Sequence, residues 1–312
     1  MKDIQKPLVS VPVITYNSSK TVVETLNSIY NQSYPNLELI VSDDGSPDNT
    51  IQVCREWIEA HKDRFVRAEL LTVEKNTGIS ANFNRAYDAC QGEWVKGIAG
   101  DDLLLPDCVS DYVQFVEEHP EAIYVFGRMA FFGASEADCS CLERVFDYSF
   151  FDLSPDEQLH ELVFEGNHIP AATLFFNLRK AKELHLNRYD ERIPLLEDWP
   201  HWITLLQNGI KLFLMDREVV CYRVGGGVST ASRISVASYR SLVLFDLLYR
   251  YPLWMKENEE QGLARMADMV CEQYRLSMQY EKEVERIRRS LAYRLGKALL
   301  KPFSWMRRKV SK

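Results

Sequence analysis

The stretch LVSVPVI (8–14) limits what this chain can fold into more than any other. It is almost wholly apolar, with β-branched Val9, Val11, Val13 and Ile14. Such a strand has no face to show to water, so it reads as the centre of a parallel sheet covered on both sides. The loop Thr-Tyr-Asn-Ser-Ser follows, then TVVETLNSIYNQ (21–32), whose apolar residues at 22, 23, 26, 29 and 30 form a helical stripe. The unit then repeats. LELIVS (37–42) is a second strand, closed by DDGSPDNT, and a helix should follow to about residue 60. FVRAELLTVE (65–74) is a third strand, and NTGIS leads into the helix ANFNRAYDACQ. EWVKGIA (93–99) is a fourth, and it delivers Asp101 and Asp102. Strands alternating with helices in this way predict an α/β fold.

After residue 120 the pattern is less regular. AIYVFGRMAFF (122–132) and AATLFFN (171–177) read as strands, EDWPHWITLLQNG (197–209) as a helix, and KLFLMDREVVCYRV (211–224) as two short strands. GGGVST is a flexible loop, and the chain is mostly helical from about residue 235. The length, 312 residues at 46% hydrophobic, allows one large domain or two smaller ones. Neither an apolar run of about 18 residues nor a signal-peptide core is present, which predicts a cytoplasmic protein. Seven scattered cysteines, of which only Cys139 and Cys141 are close, read as reduced thiols rather than a zinc site.

In open α/β sheets ligands bind beyond the carboxyl ends of the strands. Three such ends carry polar groups here: Thr15 and Tyr16, Asp43 and Asp44, Asp101 and Asp102. An acid at the second can accept hydrogen bonds from a nucleoside, whereas the helix-capping role fits Asp48 better than Asp44. Asp101 and Asp102 are either a turn before Pro106 with one acid capping the next helix, or a site for a divalent cation and a diphosphate. Oxygen ligands suit Mg²⁺ or Mn²⁺, which take one or two carboxylates plus substrate phosphates. Glu197 and Asp198 open a helix, so they are either first-turn capping acids or the source of a general base: Asp198 is flanked by Trp199, Pro200 and Trp202, an apolar wall that raises a carboxylate pKa while the helix N-terminus opposes it. His168 in EGNHIP is either a packed polar residue or a ligand. Gly225–Gly227 lack the spacing of a dinucleotide fingerprint.

VSVPVITYNSSKTVVETLNSIYNQSYPNLELIVSDDGSPDNT (9–50) and NTGISANFNRAYDACQGEWVKGIAGDDLLLPD (76–107) resemble the two N-terminal blocks of glycosyltransferase family 2. EGNHIPAATLFF (165–176) and LLEDWPHWITLLQNG (195–209) resemble its acceptor-side segments, and the likeness spans roughly residues 7–230. It implies a GT-A fold, a Rossmann-like α/β domain for nucleotide-diphosphate sugars, and inverting transfer of the sugar to a glycan acceptor. By the same resemblance Thr15 and Tyr16 line the base pocket and Asp44 binds the base. Asn84 and Asp101 sit at the donor, Asp102 holds Mn²⁺ or Mg²⁺, and Asp198 is the catalytic base. His168, Glu197 and Trp199 lie on the acceptor side. The donor implied is UDP-linked, with dTDP or GDP as alternatives. In two places the chain departs from the family. Gly100 stands where the acidic motif often has a third aspartate, and Gly225 stands where many members carry a histidine after a Tyr-Arg pair.

Three segments are expected: a catalytic domain over 1–230, a helical extension over 231–285 and a basic amphipathic tail over 286–312. The tail holds ten Lys and Arg and no acid, leaving 27 basic and 45 acidic residues on the rest of the chain. Leu291, Leu295 and Leu299 share one helical face among these basics, so the tail is either a solvated basic helix packed on the acidic body or, the reading preferred, a helix lying on anionic lipid of the inner leaflet. This suits bacterial surface-polysaccharide synthesis on a lipid-linked acceptor such as an undecaprenyl-diphosphate glycan, by an enzyme bound peripherally to the membrane. The acidic body disfavours nucleic acid as a partner. Two other functions compete: a sugar nucleotidyltransferase, disfavoured because VPVITYNSSK has no glycine, and a non-catalytic relative that binds nucleotide-sugars.

Overall fold

In a computed structural model of the protein, the opening stretch is strand β1 (Val9–Thr15), with Val9, Val11 and Val13 wholly buried. The structure describes residues 6–135, 139, 146–193, 196–225, 236–268, 271 and 275. β1 pairs in parallel with β2 (Leu37–Asp43) on one side, and with β4 (Trp94–Lys96) and β5 (Ile98–Ala99) on the other. β3 (Arg67–Thr72) extends the parallel half beyond β2. Past β4 the directions become mixed. β8 (Phe175–Asn177) runs antiparallel to β4 and to β7 (Tyr124–Phe132), and β9 (Leu212–Arg223) runs parallel to β7. β6 (Leu103–Leu104) closes the row antiparallel to β9. The order is β3-β2-β1-β4-β8-β7-β9-β6, with β5 beside β1.

Helices α1 (Val22–Tyr30), α2 (Thr50–His61), α3 (Ile79–Ala89) and α4 (Cys108–Glu118) fall where the apolar periodicity predicts the first three and where the chain leaves β6. α1 buries Val22, Thr25, Leu26 and Ile29, the spacing of one helical face. Val23 and Tyr30, which the sequence reading put in the stripe, are 39% exposed. α5 (Pro155–Phe164) starts at a capping box in which Ser154 and Glu157 exchange hydrogen bonds. α6 (Leu178–Glu183) and α7 (Asp198–Gln207) follow, then α8 (Val236–Phe245), which runs into a π-helical turn, Asp246–Arg250.

Two expectations about strands change. Residues 93–99 form two short strands broken at Gly97 rather than one. Residues 212–223 form one strand rather than two, because a bulge opposite Phe126–Met129 absorbs the exposed Asp216-Arg217-Glu218 triplet. Arg128 across the pair holds Asp216, and Arg217 holds Asp111 at 2.6 Å.

The chain divides after Arg250 into two compact units. The second opens with α9 (Tyr251–Glu257), where Arg265 lies over the Trp254 ring. Among the described residues no helix is long and apolar enough to cross a membrane. The basic tail and the loop segment 226–230 lie outside the described residues.

Candidate active site

The parallel topology brings the carboxyl ends of β1, β2 and β5 side by side. At the end of β1, Thr15 is buried and donates its hydroxyl to Asp43 Oδ2 at 2.8 Å, while the next side chain, Tyr16, is 46% exposed. Asn17 then takes a left-handed conformation (φ 56°), which asparagine tolerates, and donates its N–H to Ser46 Oγ at 2.9 Å. Asp43 also accepts the Ser46 N–H and hydroxyl, so the loops after β1 and β2 are tied together.

Asp44 is differently placed from a simple ligand acceptor. Its Oδ1 accepts the Thr77 hydroxyl at 2.5 Å and Arg85 Nη2 at 3.0 Å, and its Oδ2 accepts the N–H groups of Thr77 and Gly78 at 2.9 and 2.8 Å. A carboxylate offers about four lone-pair sites. Protein donors fill them here, so a base reaching Asp44 must displace one. Asn84 likewise turns to the protein. Its amide donates to the Tyr189 carbonyl at 3.0 Å and to Glu191 Oε1 at 2.9 Å, and accepts the Tyr189 N–H at 2.8 Å. It fastens α3 to the loop before α7, and this leaves no N–H of its amide for a donor sugar.

Asp101 and Asp102 follow β5 at the turn into β6. Asp102 is buried, and its Oδ1 accepts the backbone N–H of Arg223 at 2.8 Å. The Arg223 side chain donates to the Asp101 carbonyl at 2.8 Å and to Glu24 at 2.6 Å, so the last residue of β9 straps the acidic turn in place. Burial, then the neighbouring Asp101 charge, push the Asp102 carboxyl up to about 7, and burial raises Asp101 as well. Lys96, wholly buried on β4, donates to the carbonyls of Gly97 and Ala172 at 2.7 and 2.8 Å and only partly offsets the charge of Asp102. The Arg223 guanidinium offsets part of the charge on both acids, and Asp102 still stays raised. That fits a divalent cation completing its coordination with substrate phosphates. Among the described residues no group of three or more His, Cys, Asp or Glu could hold a metal unaided.

The two glycine departures have distinct physical content. A Cβ on Gly100 would lie 2.8 Å from Thr15 Cγ2 and 3.3 Å from the Ile14 carbonyl, so an aspartate there would collide with the end of β1. A Cβ on Gly225 would meet nothing within 4 Å among the described residues, but the φ of +97° disfavours any side chain, histidine included.

Asp198 and Glu197 stand at the start of α7, both half-buried. Burial pushes both carboxyls above the ordinary range, and the charge of Asp198 raises Glu197 further. Asp198 Oδ1 accepts the Trp199 N–H at 2.8 Å, and Oδ2 accepts Asn167 Nδ2 at 2.8 Å. Asn167 escaped the sequence reading, although it sits in EGNHIP beside His168. His168 itself is half-buried and feels the charge of Asp147. Trp199 is half-buried and held by the protein at more than one point. Its indole N–H donates to the Leu162 carbonyl at 2.8 Å, and its ring lies between Phe245 and the Arg250 guanidinium, at 4.6 and 5.1 Å.

A parallel half-sheet joined to a mixed half is the GT-A architecture. Solved structures share this fold. A complex of S. aureus TarS 1–349 with UDP superposes with a TM-score of 0.58 at 20% identity, covering 77% of this chain and 64% of TarS. The mannosyltransferase PcManGT from Pyrobaculum calidifontis, in complex with GDP-Man and Mn²⁺, gives 0.56 at 18% identity, covering 95% and 84%. The chain belongs to glycosyl transferase family 2, whose model matches residues 10–176. It is 24% identical over 239 residues to the UDP-Glc:alpha-D-GlcNAc-diphosphoundecaprenol beta-1,3-glucosyltransferase WfaP of Escherichia coli, across 76% of this chain and 85% of WfaP. Another curated relative is 34% identical, but over only 40% of its own length.

Proposed function

We propose that this glycosyltransferase moves a sugar, with inversion, from a UDP-linked donor to a hydroxyl of a lipid-linked glycan in bacterial surface-polysaccharide synthesis. The observation that carries the reading is the strapped Asp101–Asp102 pair beside the end of β1. The donor named for WfaP and the UDP in TarS support the nucleotide, and the undecaprenol-linked acceptor named for WfaP supports the acceptor class.

In this reading the exposed ring of Tyr16 receives the base, and Thr15 shapes the wall behind it. Asp101 faces the ribose or sugar of the donor, and Asp102 would hold Mn²⁺ or Mg²⁺, which would supply the positive charge that stabilises the departing diphosphate. Asp198 accepts the proton of the acceptor hydroxyl as that oxygen attacks the anomeric carbon from the side opposite the diphosphate. One displacement with one base inverts the configuration without a covalent intermediate. Glu197, His168 and Trp199 shape the acceptor side.

The test is a thermal-shift screen of nucleotide-sugars with Mn²⁺, followed by transfer assays on the donor that raises the melting temperature. Asp198→Asn should keep that shift while transfer falls by about 10²–10⁴-fold. Unchanged transfer would overturn the assignment of the base. Failure of every nucleotide-sugar to bind or react would overturn the enzyme reading itself.

A further inference from the structure

Asp198 and Glu197 are adjacent acids of similar burial, yet they are held differently. Both oxygens of Asp198 are bonded, one by the Trp199 N–H and one by Asn167. Among the described residues no side-chain donor is bonded to Glu197. Asn167 is itself oriented, because its Oδ1 accepts the Ile169 N–H at 3.2 Å and thereby turns its NH₂ toward Asp198. The segment behind it is fixed in turn: Thr173 donates to the Pro170 carbonyl at 2.7 Å, and buried Lys96 donates to the Ala172 carbonyl.

We propose that Asn167 is the positioning residue of the catalytic base: its amide holds Oδ2 of Asp198 so that, of the two acids, Asp198 carries the negative charge and points it in one direction. The proposal rests on the reading of Asp198 as the base.

Two neighbouring carboxyls that are largely withdrawn from water do not readily ionise together, so one proton is shared out between them. Hydrogen bonds to the charged form decide who keeps it. The bonds from Trp199 and Asn167 draw the charge to Asp198, and that charge in turn holds the proton on Glu197. The titratable groups facing Asp198 are Glu197 on its own helix and the Tyr189 hydroxyl from the preceding loop. Tyr87 on α3 bonds Tyr189 and faces Glu197. Burial keeps both phenols neutral. From α5, packed on α7, the group that reaches Trp199 is the Leu162 carbonyl, which carries no charge. Asn167 is the neutral donor that breaks the symmetry of the pair.

The experiment follows the carboxyl carbon of Asp198 by ¹³C NMR in full-length protein labelled at aspartate, with the signal assigned by its loss in Asp198→Asn. Asn167→Ala should raise its titration midpoint by about one pH unit, the size expected for one hydrogen bond to a charged group. Asn167→Asp, which keeps the side-chain size and adds a like charge, should raise it further. A midpoint unmoved in both folded variants would overturn the positioning role. Failure of the base reading shows separately: Asp198→Asn would then retain transfer, whatever the midpoint does in the Asn167 variants.

Discussion

Gly100 decides how closely β1 and the acidic turn can approach. Its missing Cβ leaves room for Thr15 Cγ2, and Thr15 cannot swing away without losing its bond to Asp43. Gly100→Ala should therefore cost about 1–3 kcal/mol, the usual size of overpacking. Adding Thr15→Ser, which keeps the hydroxyl and removes Cγ2, should recover most of that loss. Urea unfolding of the two variants checks both, and a fully stable Gly100→Ala would refute the packing argument. At this scale the sequence was legible where a side chain's chemistry is rare. Adjacent aspartates after an apolar strand could be recognised. Asp44 and Asn84 were assigned toward the donor, but their hydrogen bonds are used within the protein, and partners 33 and 105 residues away leave no local trace. Asn167 has no distinguishing neighbours either, since its role exists only once α7 is in place.

At the scale of elements, α3 is a bracket between the two halves of the site. Asn82 donates to the Thr15 carbonyl at 3.3 Å, Arg85 holds Asp44, and Asn84 holds Tyr189. Asn84→Ala would strand the buried N–H and carbonyl of Tyr189, at about 1–3 kcal/mol for each unsatisfied group. Transfer should drop at least tenfold while donor affinity, read by calorimetry, stays within about twofold; a matching loss of donor affinity would return Asn84 to the donor site. The parallel half was readable because its strands are buried on both faces and each ends in a polar loop. The mixed half was harder. A polar triplet inside β9 mimics a turn unless its partners, Arg128 across the strand pair and Asp111 on α4, are known. The capping box at Ser154 was a local signal that could have placed α5.

At the scale of the whole molecule, the membrane reading rests on composition. Ten basic residues over 286–312, each worth about 1 kcal/mol near an anionic surface, are the attraction that the proposed peripheral attachment would use. The full chain should float with anionic liposomes, and a chain ending near residue 283 should not; equal flotation would remove the tail as the anchor. The grip of α3 on the loop before α7 bears on how such an enzyme can diverge. Asn84 takes that loop chiefly by the peptide group of Tyr189, which every amino acid except proline presents in the same form. Apart from the bond to Glu191, the mooring is thus indifferent to the side chains it carries. Mutation can rewrite much of the loop that leads to Asp198, the proposed base, without casting the loop adrift.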